Sequence, residues 1–308
     1  MNRSKFSLAD LLTLMSAITF GFLFFLGYNF LTLGDMTKSI ILASSFALAL
    51  GVIAYALKTL KGVSRNFKTN IIAELVLILA YSIIAFFAFS PFSHYFSVSQ
   101  EKEQIQNNIL TNISEAEGLF DAYDDYTDNR LSLYERKLKG IIQARIVNPS
   151  EYIEFGFVQG TSDETQLKAK LDALTYKLKP SNYSEMKDNL TWLSDSKSKV
   201  ENWSPIGVVD IVNTLNKEVS SWSAKLKENS AYRQKGEEAT DFEASISFDE
   251  VSTIFTEKTS PNPLGIGIGL VIYLLMLFSY LVSKRHDRIR GNVLNMLFGN
   301  STTDNKEL

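Results

Sequence analysis

The chain contains no cysteine. That excludes disulfide scaffolds, thiolate metal sites, iron–sulfur clusters and cysteine nucleophiles. It leaves the redox compartment open, because a cysteine-free chain is compatible with either side of a membrane. Histidine is nearly as scarce, with only His94 and His286 in 308 residues. The distribution of apolar runs and basic residues puts these two on opposite faces of a bilayer, which excludes a two-histidine metal site. Six prolines and 16 glycines are too few for a collagen-like or low-complexity chain. Basic residues do not exceed acidic ones: 31 stand against 34, for a net charge of -3 and a pI near 5.6. No nucleic-acid partner is expected from that balance. No G-x-S-x-G, H-E-x-x-H or G-x-x-x-x-G-K-[ST] run occurs, so the commonest hydrolase, metalloprotease and P-loop readings fall away and no cofactor is expected.

Long apolar runs, by contrast, are plentiful, although a mean hydropathy of +0.00 conceals them. Leu11 to Leu33 is a 23-residue stretch without a charge; as a helix it reaches roughly 34 Å, enough for a hydrocarbon core of about 30 Å. Ile40 to Leu57, Ile71 to Phe89 and Leu264 to Val282 are 18 to 19 residues long and contain one charge, Glu74. All four are apolar around the whole helix, which predicts four membrane spans. A cleaved signal peptide is the competing reading of the first run. The run exceeds an ordinary apolar signal core of about 7 to 15 residues, and no small-residue cleavage site follows it.

Positive residues near membrane segments are retained in the cytoplasm. Arg3 and Lys5 precede the first run, Lys58, Lys61, Arg65 and Lys68 separate the second from the third, and Lys284, Arg285, Arg288 and Arg290 follow the fourth. The short first loop has Lys38 beside Asp35. The expectation is a multi-pass cell-membrane protein of the bacterial inner-membrane kind, with both termini cytoplasmic. Three parts follow: a three-span anchor over residues 1–90, an acidic extracytoplasmic helical domain over 91–262, and a fourth span with a short basic tail over 263–308. Residues 91–262 hold 28 acids and 19 bases, a net of -9, which we read as solvation of an outer domain.

Within that domain Ile109, Ile113, Ala116, Phe120, Tyr123, Thr127, Arg130, Tyr134, Leu138 and Ile141 are spaced by steps of four and three. This heptad-like, coiled-coil stripe is interrupted at two polar positions and predicts one long helix over 98–147, ended by Asn148-Pro149. A membrane helix continuing outward with a kink at Ser90-Pro91 would feed it. The run 151–160 reads as irregular or strand-like. Thr161 and Glu164 read as a capping box for a helix carrying Leu167, Leu171, Leu174 and Leu178. A further helix is expected from Asn182 to about Trp203, and Ser204-Pro205 opens another with Val208, Val212, Leu215, Val219, Trp222 and Leu226. The polar stretch 229–245 reads as a mobile loop. The predicted fold class is all-α: four transmembrane helices with an extracytoplasmic helical bundle inserted between the third and fourth.

Candidate functional residues are few. Gly265 and Gly269 on the fourth span, and Ala43, Ala47 and Gly51 on the second, form small-residue faces that let helices approach. Their simpler explanation is the glycine and alanine content of membrane helices. Glu74 is the one acid inside a span, a transport or proton-relay candidate by default. Its place in the first turn from the cytoplasmic side favours snorkelling instead. Asp121, Asp124, Asp125 and Asp128 share one helix face. A divalent-cation or basic-partner site there competes with a solvated acidic face, and the calcium-loop pattern is missing. The expected function is therefore non-enzymatic: a scaffold or interaction subunit binding the lipid bilayer, other membrane or envelope proteins, and possible further copies of itself. The alternative is a sensor or regulatory subunit whose outer domain signals through a separate cytoplasmic partner.

Overall fold

The computed structural model describes residues 7–62, 67–188, 190–244, 246, 248–256 and 261–283. Arg3, Lys5, Arg65, Lys284, Arg285, Arg288, Arg290 and His286, on which part of the topology argument rests, lie outside them. Among the described residues every regular element is an α-helix. In chain order these are α1 (Leu8–Leu31), α2 (Met36–Lys61), α3 (Phe67–Gln100), α4 (Lys102–Gln143), α5 (Pro149–Glu154), α6 (Asp163–Leu178), α7 (Tyr183–Asp188), α8 (Thr191–Glu201), α9 (Gly207–Ser230), α10 (Asp249–Thr256), α11 (Pro263–Met276) and α12 (Phe278–Val282). They group into two compact units. One comprises the described residues up to Glu101 and from Phe255 on; the other is Lys102–Ile254.

In the first, apolar unit the helix starts are capped by residues suited to the task. Ser7 and Asp10 form a reciprocal capping box on α1, Asp35 caps α2, and Asn262 followed by Pro263 opens α11. Three helices, α1, α2 and α3, are long and apolar enough to cross a membrane. α1 packs against α2, α3, α11 and α12, and α3 against α2 and α11. Aromatic rings fill the centre, where Phe20 stacks on Phe92 with centroids 5.4 Å apart among Ala17, Phe24, Ala43, Ala85 and Met276. Large apolar side chains such as Ile18, Phe22, Leu48, Leu79 and Phe86 point outward and are exposed. An apolar exterior around a small-and-aromatic interior is the arrangement a hydrocarbon solvent favours.

The fourth apolar run departs from expectation. Leu264 to Val282 was expected as one helix. α11 instead stops at Met276, Leu277 forms a turn, and α12 resumes at Phe278. At 14 residues, α11 reaches only about 21 Å. α3 begins at Phe67 rather than Ile71 and continues through Pro91 to Gln100, so the long helix that follows starts at Lys102 rather than Val98. Residues 91–101 consequently pack in the apolar unit, where Phe92 and Phe96 join its core.

The second, acidic unit is organised around α4, which packs against α5, α6, α8 and α9. Every position of the predicted stripe from Ile109 to Ile141 is buried, Thr127 and Arg130 included. The heptad-like spacing thus serves a central helix covered by several shorter ones, not a single coiled-coil partner of equal length. The α9 stripe is buried in full. Three local expectations change. The run 151–160 holds no strand: it contains the end of α5 and the turn that buries Phe157 under Tyr152, rings 5.0 Å apart. Ser162, not Thr161, caps α6, its hydroxyl accepting from the Thr165 amide. The helix expected from Asn182 is divided into α7 and α8.

Candidate functional site

At one end of the apolar unit, four helices contribute to a polar cluster that sequence reasoning did not assemble. Asp10, in the first turn of α1, accepts from the Ser7 amide at 2.8 Å and the Ser7 hydroxyl at 2.9 Å, closing its own cap. The same carboxylate takes both Lys58 Nζ contacts from the end of α2, at 2.5 and 2.6 Å, and the Ser279 hydroxyl of α12 at 2.5 Å. Lys58 and Asp10 are only 13% and 11% exposed, so the pair is shielded from the screening that makes surface ion pairs weak. Nearby on the same helices, Lys61 donates to the Tyr280 carbonyl at 2.8 Å and lies 4.7 Å from the Tyr280 ring centroid.

This cluster also explains the broken fourth helix. An intact helix would pair the Ser279 amide with the Leu275 carbonyl. The Thr13 hydroxyl of α1 stands between them instead, accepting from Ser279 at 3.3 Å and donating to Leu275 at 3.5 Å. Tyr81 of α3 donates to the Tyr273 carbonyl at 3.2 Å. Side chains from α1, α2 and α3 thus serve carbonyls of α11 and α12, which is how irregular backbone is tolerated among apolar helices.

Glu74 belongs at the edge of this cluster. Because α3 begins at Phe67 and not Ile71, Glu74 sits beyond the first helical turn, and it is 3% exposed. It does not snorkel to solvent, and Tyr280 donates to its Oε2 at 3.3 Å. The small-residue positions are all at helix contacts. A Cβ on Gly265 would lie 2.9 Å from Ser93 Oγ, and one on Gly269 would lie 2.9 Å from the Phe89 ring. Ala47 and Ala43 face Gly21 of α1, and Gly51 faces Ala17. These faces are used within the chain. His94 is buried and its Nε2 lies 2.7 Å from the Phe255 carbonyl, an acceptor, so that nitrogen carries the proton and the ring has a structural partner.

In the acidic unit Asp121, Asp125 and Asp128 are exposed and Asp124 is half-buried, and two lysines reach this face. Lys187 reaches Asp121 at 2.8 Å and Asp124 at 2.7 Å, while Lys179 reaches Asp124 at 2.7 Å and Asp128 at 3.5 Å. Asp125 is exposed. Lysine ammoniums therefore stand where a cation would bind, and among the described residues no group of three acid or histidine side chains is placed to hold a metal ion. Burial acts to raise the Asp124 pKa, but Lys179, Lys187 and the Tyr183 hydroxyl outweigh it and hold the carboxyl down at about 2. Since the folded value lies below the unfolded one of about 3.9, this stabilisation is present above pH ~4 and lost as pH falls through about 2. All three tryptophans, Trp192, Trp203 and Trp222, lie in this unit, so their fluorescence reports its unfolding in the intact protein. Asp124→Asn is expected to lower stability at pH 6 by about 1 kcal/mol after solvent screening and to flatten the acid dependence between pH 4 and 2. An unchanged acid profile would contradict the assignment.

The polar stretch 231–244 is irregular but tied down. Arg130, the second polar interruption of the α4 stripe, forms a two-pronged ion pair with Glu237, and each partner is 3% exposed. Its remaining donors reach the Tyr126 hydroxyl at 3.0 Å, the Ser230 carbonyl at 2.6 Å and the Tyr232 carbonyl. Tyr126 in turn donates to the Thr240 carbonyl at 2.7 Å. Gly236 completes the loop: with φ of +75° and Phe155 packed against it, a Cβ would fall 2.3 Å from the ring. The stretch is irregular, and the residues that bind it are about a hundred positions away in the sequence.

Two clefts of about 650 Å³ accompany these clusters. One, in the apolar unit, lies along α1 and α2 and ends on Asp10, Lys58 and Ser279. The other, in the acidic unit, lies between α8 and α9 and is lined by Trp192, Asp195, Lys199, Asn202 and Asp210. Comparison with protein-family models, with curated proteins and with solved structures gave no match.

Proposed function

We propose that the chain is a four-span membrane protein whose acidic helical unit lies outside the membrane and docks other membrane or envelope proteins, without catalysing a reaction. Two observations support the topology. The start of α1, the ends of α2 and α12, and Glu74 of α3 converge in one cluster, so the basic flanks of the apolar runs belong to the same end. The Lys and Arg distribution then assigns that end to the cytoplasm. The broken fourth helix fits a span because its carbonyls are satisfied by neighbouring side chains.

The docking role rests on one observation. Between the end of α4 and α6, Ile146, Val147, Ile153 and Val158 are 85%, 90%, 59% and 61% exposed, within the acidic unit. Apolar side chains gathered in so short a stretch mark an interaction site more often than a solvated one. A photo-crosslinking amino acid at Val147, activated in native membranes, is expected to yield a discrete adduct, while the same group at exposed Asp172 yields none. No adduct at Val147, with protein of normal abundance, would contradict the docking role.

The sensor reading has a specific feature in its favour. α3 ends at Gln100 and α4 begins at Lys102, so Glu101 alone separates the third span from the long helix of the acidic unit. A flexible Gly-Ser insertion after Glu101 discriminates: a sensor loses its output, whereas a docking subunit keeps its Val147 adduct.

A further inference from the structure

The cleft along α1 and α2 is the deeper end of a trough. Ala17, Ala47, Gly51 and Ala54 line the wider part. A second part of about 320 Å³ shares Ile18, Ser44 and Ala47 with it and continues to Phe25 and Ile40. From Asp10 to Phe25 the trough follows α1 for about 22 Å, most of the ~30 Å hydrocarbon thickness. Its rims are Leu14, Ile18 and Phe22 on one side and Leu48, Val52 and Tyr55 on the other, all exposed. Charge is confined to one end, at Asp10 and Lys58.

We propose that this trough seats one acyl chain of an anionic phospholipid, whose phosphate is received by Lys58 at the polar end. The inference rests on the membrane reading above. The small residues leave a continuous apolar channel that the bulky rims enclose, and a flexible hydrocarbon chain is the solute that always bathes such a surface. The headgroup assignment follows from donor arithmetic. Lys58 gives two hydrogen bonds to the two Asp10 oxygens, and an ammonium has three donors, so one remains for a phosphate oxygen. Asp10 and Glu74 offset two charges, while Lys58 and Lys61 end α2 and Arg65 and Lys68 follow them in sequence. By residue count this flank of the sequence carries more bases than acids, as basic pockets for anionic headgroups do. A transmembrane helix of another protein is the competing occupant.

The test uses the full chain extracted from membranes in mild detergent and examined by native mass spectrometry. Phosphatidylglycerol and phosphatidylcholine of identical chains are titrated in turn. One phosphatidylglycerol is expected to bind at least tenfold more tightly than phosphatidylcholine. Ser44→Trp, which fills the trough from an exposed position, is expected to weaken that binding at least tenfold, and Lys58→Gln to abolish the headgroup preference. Equal binding of the two lipids, or unchanged binding by Ser44→Trp, overturns the proposal. So does a dimer that Ser44→Trp dissociates, because a helix then occupies the trough. A chain that alkaline carbonate washes from the membrane fraction would instead overturn the membrane reading itself.

Discussion

Replacing Gly27 with alanine is expected to prevent the apolar unit from assembling in its native form. Gly27 lies on α1 where that helix crosses α3, and an added Cβ would sit 1.9 Å from the Pro91 carbonyl oxygen and 3.0 Å from the Tyr95 amide nitrogen. Both are backbone atoms, so no side chain can swing aside. Relief requires the two helices to separate by more than an ångström, which strips contacts from the core where Phe20 stacks on Phe92. Ordinary overpacking costs about 1–3 kcal/mol, and a clash with backbone at this distance is expected to exceed that range. The readout is the fraction of monodisperse protein after detergent extraction, together with its thermal midpoint. Gly118→Ala is the control, because nothing lies within 4 Å of a Cβ there. A Gly27→Ala protein as stable as the control would mean that α1 and α3 do not meet as described.

The second large effect is expected at Arg130. Removing its guanidinium leaves the Glu237 carboxylate buried without a counter-charge and takes one of two arginine donors from each of the Ser230 and Tyr232 carbonyls, which keep Arg233. Breaking one side of a buried pair costs about 3–5 kcal/mol. Arg130→Met is therefore expected to destabilise the acidic unit by that amount, read by tryptophan fluorescence. It should also open the 231–244 stretch to trypsin at Arg233 and Lys235. Replacing both partners, Arg130→Met with Glu237→Leu, removes the stranded charge and is expected to recover part of the loss. Recovery stays incomplete because the Arg130 hydrogen bonds to Tyr126 and to the two carbonyls are still lost, although Arg233 keeps each carbonyl paired. Wild-type stability and protease resistance in Arg130→Met would contradict the role of this pair in holding the loop.

The parts of this architecture legible from residue order are those governed by local periodicity. The α4 and α9 stripes could be read position by position because a 3.6-residue repeat opposes charged residues on the other face. The apolar runs were visible because their length and lack of charge are local too. Long-range partnership was not. Arg130 looked like a flaw in a stripe, and its partner Glu237 is 107 residues away. Asp10 looked like a helix-start acid, although Lys58 and Ser279 complete its surroundings from 48 and 269 residues along the chain. The break in the fourth run could not be seen in that run, because the hydroxyl that enters it belongs to Thr13. Gly27 carried no signal beyond being a glycine in a membrane-like helix, whereas Gly265 and Gly269 stood out through their spacing. The acidic face was visible as a face, but the lysines that fill it lie 51 or more residues on, after Asp128.

The central claim is that the acidic unit and the basic helix ends lie on opposite sides of a membrane. A paired reporter fusion at residue 170, using one enzyme active only outside the cytoplasm and one active only within it, tests this most directly. The account predicts activity of the outside reporter at residue 170 and of the inside reporter after residue 283. Cytoplasmic activity at residue 170 would contradict it and, with it, the docking role proposed for the exposed residues between Ile146 and Val158.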